Sequence, residues 1–312
     1  MTGLVHSPAA LLHDTGPGHP ERPERVTAIL DRLRGDGLLD RCLAIPPRPI
    51  TPEELARVHT QTYLRIVTED VADGLVVLST GDTAIKGQAS LDAATLAAGG
   101  LLAAVDAVCS SQIANAFAVS RPPGHHATPS KGMGFCIFNS VALAARHAQA
   151  VHGIERVLIV DWDVHHGNGT QDTFYEDDSI LFFDTHQSPL YPGSGAADET
   201  GRGAGLGFTI NCPFPAGAGR REIVGAFRER LVPAADRFRP QLVLVSAGFD
   251  SRVDDPLGRF TLTDADFAEL TAIVREIADR HAGGRIVSTL EGGYAPAGLA
   301  AAVAAHVGVL ME

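Results

Sequence analysis

The sequence predicts an α/β fold in one domain over residues 1–312, with three layers, α/β/α, around a mostly parallel central sheet. Short apolar runs rich in β-branched residues alternate with segments of helical periodicity along the whole chain. No linker, repeat or low-complexity segment interrupts this alternation. Hydrophobic residues make up 45% of the 312 residues, which is enough to bury a large core.

Seven apolar runs are predicted as strands. The first contains Leu4 and Val5, and the others span 115–120, 156–160, 179–183, 208–212, 241–246 and 285–289. Several of them are apolar at nearly every position, a pattern typical of strands buried on both faces of a parallel sheet.

Helices with amphipathic or alanine-rich patterns are predicted between the strands, at 24–33, 51–72, 90–108, 139–151, 220–238, 263–281 and the end of the chain. The clearest start is Thr51, the expected N-cap, because Pro52 suits the first helical position and Glu54 completes a capping box. We expect this helix to continue to about Ala72 and to carry His59.

Composition narrows the functional classes. The net charge of −12 is spread along the chain without a basic block, which disfavours a nucleic-acid partner. The longest apolar stretches, 95–108 and 299–310, are shorter than a bilayer requires, so we expect buried helices and no membrane partner. The N-terminus lacks the pattern of a secretion signal. The four cysteines lack CxxC spacing, which argues against a zinc ribbon or disulfide framework and favours a cytoplasmic location.

The most informative stretch is Asp161–Thr170, which follows the predicted strand at 156–160. Carboxylates and imidazoles at the end of a buried strand require pairing or a metal ion, because burying unpaired charge is costly. Asp163 and His165 alternate as in an extended segment and therefore point the same way. With Asp250 from another strand end they form an Asp-His-Asp set with an open position. Such a set suits a catalytic metal, zinc first, with ferrous iron or cobalt as alternatives.

Two further strand ends carry reactive side chains. His125 and His126 follow a Pro-Pro-Gly segment, whose turn geometry can direct both imidazoles into one site. The pair is either a second metal site or a general base with an electrostatic partner. Tyr294 follows Gly292 and Gly293 and can donate a hydrogen bond to a developing oxyanion. Because ligands bind at the carboxyl ends of parallel strands, we expect one common site.

Five ordered motifs cover much of the chain: RPPGHHA at 121–127, GFCIFN at 134–139, DWDVHHGNG at 161–169, SAGFD at 246–250 and LEGGY at 290–294. Together they resemble the histone deacetylase / acetylpolyamine amidohydrolase family, particularly its class II branch and bacterial relatives. Residues 19–25 and 58–59 resemble the family's amino-terminal motifs. The resemblance implies an arginase/deacetylase-like fold and zinc-dependent amide hydrolysis. The implied substrate is acetyl-lysine in proteins or peptides or, alternatively, an acetylpolyamine or another small amide.

The resemblance also implies roles for individual residues. His126 is the general base and acid, His125 is its electrostatic partner, and Asp161 orients His125. Asn168 stands near His126 where class I members have Asp, which implies a less basic His126. Tyr294 polarises the scissile carbonyl. The implied zinc ligands are Asp163, His165 and Asp250.

A narrow acyl-lysine channel is implied as well, with Leu257 at its rim. Because polyamine-specific members place a glutamate at or near the rim, Leu257 favours an acyl-lysine substrate. Arg25 is expected beside an internal acetate cavity, and Asp82 is expected to hold the substrate backbone. The implied substrate-binding residues are Gly134, Phe135, Tyr191, Leu257, Gly292 and Gly293.

Family members bind potassium, largely through main-chain carbonyls. In this sequence Asp184-Thr185 replaces the usual Ser-Leu of the inner site. The resemblance implies an inner site at Asp161, Asp163, His165, Asp184 and Thr185, and an outer site at Phe174, Asp177, Ile180 and Phe208.

Two other classes compete with deacetylation. A binding protein that has this fold but no activity is disfavoured, because all the implied ligands and catalytic residues are present. An arginase-like ureohydrolase needs extra carboxylate and histidine ligands for two metal ions, and only one three-ligand set is visible. The sequence leaves the oligomeric state open, with a homo-oligomer among the alternatives.

Overall fold

One eight-stranded sheet organises the chain, which a computed structural model describes over residues 1–312. The strands are β1 (Thr2–His6), β2 (Leu43–Ile45), β3 (Asn115–Val119), β4 (Val157–Asp161), β5 (Ile180–Gln187), β6 (Thr209–Phe214), β7 (Leu242–Ala247) and β8 (Ile286–Leu290). Their order across the sheet is β2-β1-β3-β8-β7-β4-β5-β6, and every neighbouring pair is parallel. The predicted α/β fold is therefore confirmed, and the sheet is parallel throughout.

Helices cover both faces of the sheet and complete the three layers. They are α1 (Glu24–Gly35), α2 (Pro52–Leu55), α3 (Gln61–Ala72), α4 (Gly87–Cys109), α5 (Ser140–His152), α6 (Asn168–Phe174), α7 (Arg220–Ala226), α8 (Val232–Phe238), α9 (Asp264–His281) and α10 (Pro296–Leu310). A π-helical turn, Phe227–Leu231, joins α7 and α8 into one helical segment.

Side chains that alternate along the central strands build a separate core on each face. In β4, Leu158 and Val160 belong to the core beside α1, α9 and α10, whereas Val157 and Ile159 belong to the core beside α4 and α5. Burial of each such side chain contributes about 1.5–3 kcal/mol. Because every residue of β4, β7 and β8 is buried, the loops at their carboxyl ends start from a rigid base.

The helix predicted from Thr51 to Ala72 is instead two helices, α2 and α3, and His59 lies between them. The capping box at Thr51 is present as predicted. The helix breaks where His59 turns into the core. Its Nδ1 donates to the carbonyl of Thr128 at 3.1 Å, and its Nε2 accepts the amide of Asn139 at 3.0 Å. These long-range bonds outweigh the local helical preference, so His59 is structural.

One strand prediction requires correction, and one strand was not predicted. β5 continues to Gln187, so the segment 184–186 lies inside the strand instead of following it. Pairing with β6 extends β5, since Asp184 to Gln187 all have partners in that strand. β2 is a three-residue strand that the sequence did not predict, and only one of its residues is buried.

Helix α4 spans 23 residues, more than the apolar stretch at 95–108, because it begins at Gly87. It is the one helix that is long and apolar enough, by length and composition, to cross a membrane. The expectation that it is too short is therefore wrong. Its most apolar stretch is 61% buried, which fits the predicted core helix.

Candidate active site

Four adjacent strands, β3, β8, β7 and β4, end at one edge of the sheet. Asp161 of β4 is in register with Ser246 of β7, which is in register with Thr289 of β8, so their loops leave at the same level. The structure thereby brings together the predicted residues His125, His126, Asp163, His165, Asp250 and Tyr294.

The three predicted zinc ligands converge so that one ligand atom from each lies within 4.8 Å of the others. Nδ1 of His165 lies 3.0 Å from Oδ1 of Asp163 and 3.1 Å from Oδ2 of Asp250. Ligand atoms around a tetrahedral zinc ion with bonds of about 2.0–2.1 Å are about 3.3 Å apart. The buried set therefore fits zinc with little adjustment.

Main-chain groups hold both ligand carboxylates. The amide of Gly292 donates to Oδ2 of Asp163 at 2.7 Å, and the amide of Val164 donates to Oδ1 of Asp250 at 2.8 Å. A Cβ atom at Gly292 would lie 2.1 Å from the Asp250 carboxylate, and one at Gly248 would lie 2.1 Å from that of Asp163. Glycine is therefore required at both positions.

The chain bends between Asp163 and His165, which corrects the expectation of an extended segment. The amide of Asp163 donates to Oδ1 of Asp161 at 3.1 Å, and the amide of His165 donates to Oδ1 of Asp163 at 2.9 Å. Such local side-chain bonds turn the backbone. The two ligands thus meet through a turn and not through strand alternation.

The charges of this cluster favour a bound cation. Burial opposes a charged His165, but hydrogen bonds to Asp163 and Asp250 outweigh it and raise the pKa of His165 to about 10. Burial and the neighbouring Asp163 raise the pKa of Asp250 to about 7. Two buried carboxylates at this distance carry excess negative charge, which a proton or a divalent metal neutralises.

Two histidines with opposite charge preferences lie beside the metal ligands, with ring centroids 4.0 Å apart. Nδ1 of His125 lies 2.9 Å from Oδ2 of Asp161, and Nδ1 of His126 lies 2.8 Å from Oδ1 of Asn168. Burial opposes the charged form of His125, but Asp161 and Asp163 raise its pKa well above the ordinary value. Burial and the adjacent His125 lower the pKa of His126 well below the ordinary value.

These contacts assign different proton states to the two rings. The amide oxygen of Asn168 accepts the Nδ1 proton of His126, which leaves a lone pair on Nε2. The directions of the two pKa shifts favour a neutral His126, which lines the pocket, and a charged His125, which shares its proton with Asp161, since burial raises the pKa of that carboxyl as well.

A pocket of about 320 Å³ leads to this cluster. Tyr191 packs edge-to-face on His126 with ring centroids 5.2 Å apart, and Phe135 packs likewise on Tyr294 at 6.0 Å. Mainly apolar walls with a few polar groups are typical of small-molecule sites. The pocket is lined by Asp82, His126, Gly134, Phe135, His165, Leu190, Tyr191, Leu257 and Tyr294.

Gly292 and Gly293 were predicted to bind substrate, but neither lines the pocket. Gly292 packs against the ligand carboxylates, and Gly293 packs against Phe249 and Leu299. Both glycines pack closely against residues that support the site. Substrate binding by either glycine stays a prediction.

Asp82 lies at the pocket mouth, where the sequence placed a group that holds the substrate backbone. It is exposed, its Oδ1 accepts the amide of Gly134 at 2.8 Å, and its Oδ2 accepts the hydroxyl of Tyr191 at 3.1 Å. Gly134 has a φ of +56°, and a Cβ there would lie 2.2 Å from the His126 ring. The glycine thus lets this loop pack directly on the base.

Arg25 lies under the Tyr294 loop and is fully buried. It donates to the carbonyls of Gly293 at 2.6 Å and Glu291 at 2.5 Å, and to Glu21 at 3.0 Å. Its Cζ lies 4.9 Å from the Tyr294 ring centroid. Burial raises the pKa of Tyr294 well above its ordinary value, so the phenol remains a donor. The position of Arg25 beside an acetate cavity stays a prediction.

Asp184 and Thr185, predicted for the inner potassium site, lie in β5 beside β4, with Asp184 in register with Asp161. Oδ2 of Asp184 accepts the amide of Gly167 at 2.8 Å, and Oδ1 lies 2.6 Å from Nδ1 of His186. The hydroxyl of Thr185 is buried without a hydrogen-bond partner. An unpartnered buried oxygen suits a bound cation or water.

The residues predicted for the outer potassium site lie at the end of α6, in the loop to β5, at the start of β5 and just before β6. The carboxylate of Asp177 already pairs with Arg146 at 2.6 Å. The carbonyls of Phe174 and Phe208 accept main-chain amides at 3.0 and 2.8 Å, and Ile180 begins β5. The outer site stays a prediction.

Two buried carboxylates to which the sequence gave no role support the site. Oε2 of Glu291 accepts the amide of His125 at 3.1 Å. Asp255 accepts the amides of Tyr294 at 2.7 Å and Leu257 at 2.9 Å, so it links the tyrosine to the rim. Glu291 directly follows the buried strand β8. A carboxylate at the end of a buried strand is the pattern that singled out Asp161–Thr170, so the same pattern could have identified Glu291.

Comparison with known proteins agrees with this geometry. A family model described as a histone deacetylase domain matches residues 19–310. A protein of Archaeoglobus fulgidus named probable deacetylase is 40% identical over 300 residues, which cover 96% of this chain and 82% of that protein. A Pseudomonas aeruginosa protein named histone deacetylase-like amidohydrolase is 42% identical over 298 residues, covering 95% and 76% of the two chains.

Human polyamine deacetylase HDAC10 is 44% identical over 315 residues, covering 96% of this chain but 46% of that protein, so this chain spans about half of its length. The crystal structure of the HDA15 HD domain matches with a TM-score of 0.94 at 38% identity, covering 99% of this chain and 89% of that one. This match confirms the predicted arginase/deacetylase-like fold.

Proposed function

Since this chain belongs to the histone deacetylase family, we propose that it is a zinc-dependent amidohydrolase that deacetylates the ε-amine of lysine in peptides or proteins. The names of its relatives support a hydrolase of the deacetylase or amidohydrolase type. The observation that carries the proposal is the convergence of a three-ligand metal set, a neutral His126 and a protonated Tyr294 on one pocket.

Zinc held by Asp163, His165 and Asp250 would supply Lewis-acid polarisation of the acyl carbonyl and activation of water. His126 accepts the water proton on Nε2, because its Nδ1 is committed to Asn168. The same nitrogen then returns the proton to the leaving amine.

The remaining residues set the protonation states and hydrogen bonds that this proton transfer requires. The cationic His125 lowers the pKa of His126, so the base is free when water arrives. Asp161 holds His125 in that charged state. Tyr294 donates its hydroxyl proton in a hydrogen bond to the developing oxyanion, and the loss of one such donor costs about 10²–10³ in rate.

The pocket favours an acyl-lysine substrate. The rings of Phe135 and Tyr191 match the methylene stem that acyl-lysine and acetylpolyamines share, whereas the apolar rim residue Leu257 offers no carboxylate to a distal ammonium. Asp82 at the mouth can accept an amide of the substrate backbone. An acetylpolyamine is the second candidate, because a human relative is named polyamine deacetylase and Asp82 can pair with a distal ammonium.

Turnover of an acetyl-lysine peptide and of acetylspermidine by the zinc-loaded protein separates the candidates. We expect kcat/KM for the peptide to exceed that for the polyamine at least about tenfold. Leu257→Glu is expected to lower the ratio of kcat/KM for the peptide to kcat/KM for acetylspermidine, because a carboxylate at the rim attracts the distal ammonium of the polyamine. The reverse order in the wild type refutes lysine specificity and leaves hydrolysis intact. No turnover of either compound at full zinc loading refutes the proposed function.

We also propose that potassium binds at the inner site beside Asp184. The supporting observations are the unpartnered hydroxyl of Thr185 and the buried carboxylates of Asp161 and Asp184 in register. Thermal unfolding in potassium and in sodium chloride at equal ionic strength tests this. A higher Tm in potassium supports the site, and equal values contradict it.

A further inference from the structure

We propose a second transition-metal site between α4 and α5, formed by Asp106, His147 and His152. Asp106 belongs to α4, and both histidines belong to α5. Nε2 of His147 and Nε2 of His152 each lie 2.7 Å from Oδ1 of Asp106. The three ligand atoms lie within 4.8 Å of one another. Two imidazoles and one carboxylate suit a divalent ion of the zinc type, since magnesium and calcium prefer oxygen ligands.

One ligand of this site is buried, and the other two are partly exposed to solvent. The side chain of His147 is 4% exposed, that of His152 is 20% exposed, and that of Asp106 is 41% exposed. A tetrahedral zinc ion needs ligand separations of about 3.3 Å, which a small outward rotation of the exposed Asp106 provides. The solvent side leaves room for water in the remaining coordination positions.

Arg57 controls which nitrogen of His147 carries the proton. Nη1 of Arg57 lies 3.0 Å from Nδ1 of His147, and because a guanidinium only donates, Nδ1 accepts and the proton is on Nε2. Metal binding requires the lone pair of Nε2, so the proton moves to Nδ1 and Arg57 must leave. Oε1 of Glu54, 3.6 Å from Nδ1, is then the nearest carboxylate acceptor. Arg57 therefore opposes metal binding.

The second site is separate from the catalytic pocket. Helix α5 begins beside Asn139, whose side chain contacts the carbonyl of Ala127 and the hydroxyl of Thr170, both at 3.2 Å. At 1.5 Å per residue, His147 and His152 lie about 12 Å and about 20 Å further along the helix. An ion bound there joins α4 to α5 and stabilises the fold without touching the substrate.

Zinc titration of protein that already holds one equivalent of zinc tests the site by calorimetry and thermal unfolding. We expect one further equivalent to bind and to raise Tm by about 3 °C. Asp106→Asn and His152→Gln should each weaken this second event at least about tenfold and keep wild-type turnover of an acetyl-lysine peptide. Arg57→Ala should strengthen it severalfold.

His281→Gln is the matched control. Nε2 of His281 also lies 2.7 Å from a carboxylate oxygen, Oδ1 of Asp236, but this pair has no second imidazole. The control should bind the second equivalent like the wild type. The proposal is overturned if the wild type binds no zinc beyond the first equivalent. It is also overturned if Asp106→Asn and His152→Gln both bind the second equivalent as tightly as the wild type. Weaker binding by Arg57→Ala overturns coordination through Nε2 of His147.

Discussion

Replacement of Asn168 by aspartate tests how the base at His126 is tuned. Oδ1 of Asn168 accepts the Nδ1 proton of His126 at 2.8 Å, and both side chains are buried. The substitution keeps the size and the hydrogen bond but adds a negative charge. Because this charge stabilises the imidazolium, we expect the pKa of His126 to rise.

The magnitude follows from the short distance. Opposite unit charges about 4 Å apart interact with about 4 kcal/mol at an effective dielectric constant of about 20. Burial of the new carboxylate and the adjacent cationic His125 offset part of this energy. A net change of about 2–3 kcal/mol corresponds to about two pKa units, which returns the lowered pKa of His126 towards its ordinary value.

The assay is the pH dependence of kcat/KM for an acetyl-lysine peptide. The acidic limb requires a deprotonated His126, so it is expected to move upward by about two pH units in Asn168→Asp. Asn168→Ala is the control, since it removes the hydrogen-bond acceptor without adding charge. It should not move the acidic limb of the kcat/KM profile to higher pH. If the aspartate variant retains the wild-type limb, Asn168 does not tune His126 and the reasoning is refuted.

Asp250→Asn should bind zinc more than about a hundredfold more weakly, because a neutral amide replaces an anionic ligand. Metal analysis after dialysis against graded concentrations of chelator measures the affinity. Zinc retention equal to that of the wild type contradicts the assignment of Asp250 as a ligand. Tyr294→Phe should keep zinc and lose about 10²–10³ in kcat, whereas near-wild-type turnover would exclude the oxyanion role. A hydrogen bond from the partly exposed Arg48 lowers the pKa of Glu54 from 4.5 to about 2. This bond therefore stabilises the fold above about pH 4.5 and progressively less as the pH falls towards 2. Glu54→Gln should cost about 1 kcal/mol of unfolding free energy at pH 7 and less at pH 3, measured by denaturant titration; a larger cost at pH 3 is the contrary result.

The sheet and the strand-end site were accessible from sequence because their signal is local. β4 and β7 are apolar at nearly every position, the pattern of strands covered on both faces. Once both are strands of one parallel sheet, their carboxyl ends share an edge. Asp163 and Asp250 must then lie near each other although 86 residues lie between them in the sequence.

The features that sequence did not predict depend on distant partners. His59 leaves its helix because of bonds to Thr128 and Asn139, which nothing near residue 59 encodes. β5 extends through Asp184 because β6 supplies partners for its last residues. The close packing of Gly292 on the Asp163 and Asp250 carboxylates was likewise not predicted, because a motif does not show on which side of a loop a small residue packs.

The amides of Gly292 and Val164 also bear on which metal ion the candidate active site would select. Each donates to one carboxylate oxygen of Asp163 or Asp250, and the amide of His165 donates to the other oxygen of Asp163, so backbone groups fix the orientation of both carboxylates. Calcium takes six to eight oxygens and often both oxygens of a carboxylate, and magnesium requires an octahedral shell. The set adds an imidazole nitrogen to two carboxylates, which suits a four-coordinate ion such as zinc better than either of these oxygen-preferring ions. We therefore expect metal selectivity to depend partly on the backbone and to survive side-chain changes that leave these two amides in place.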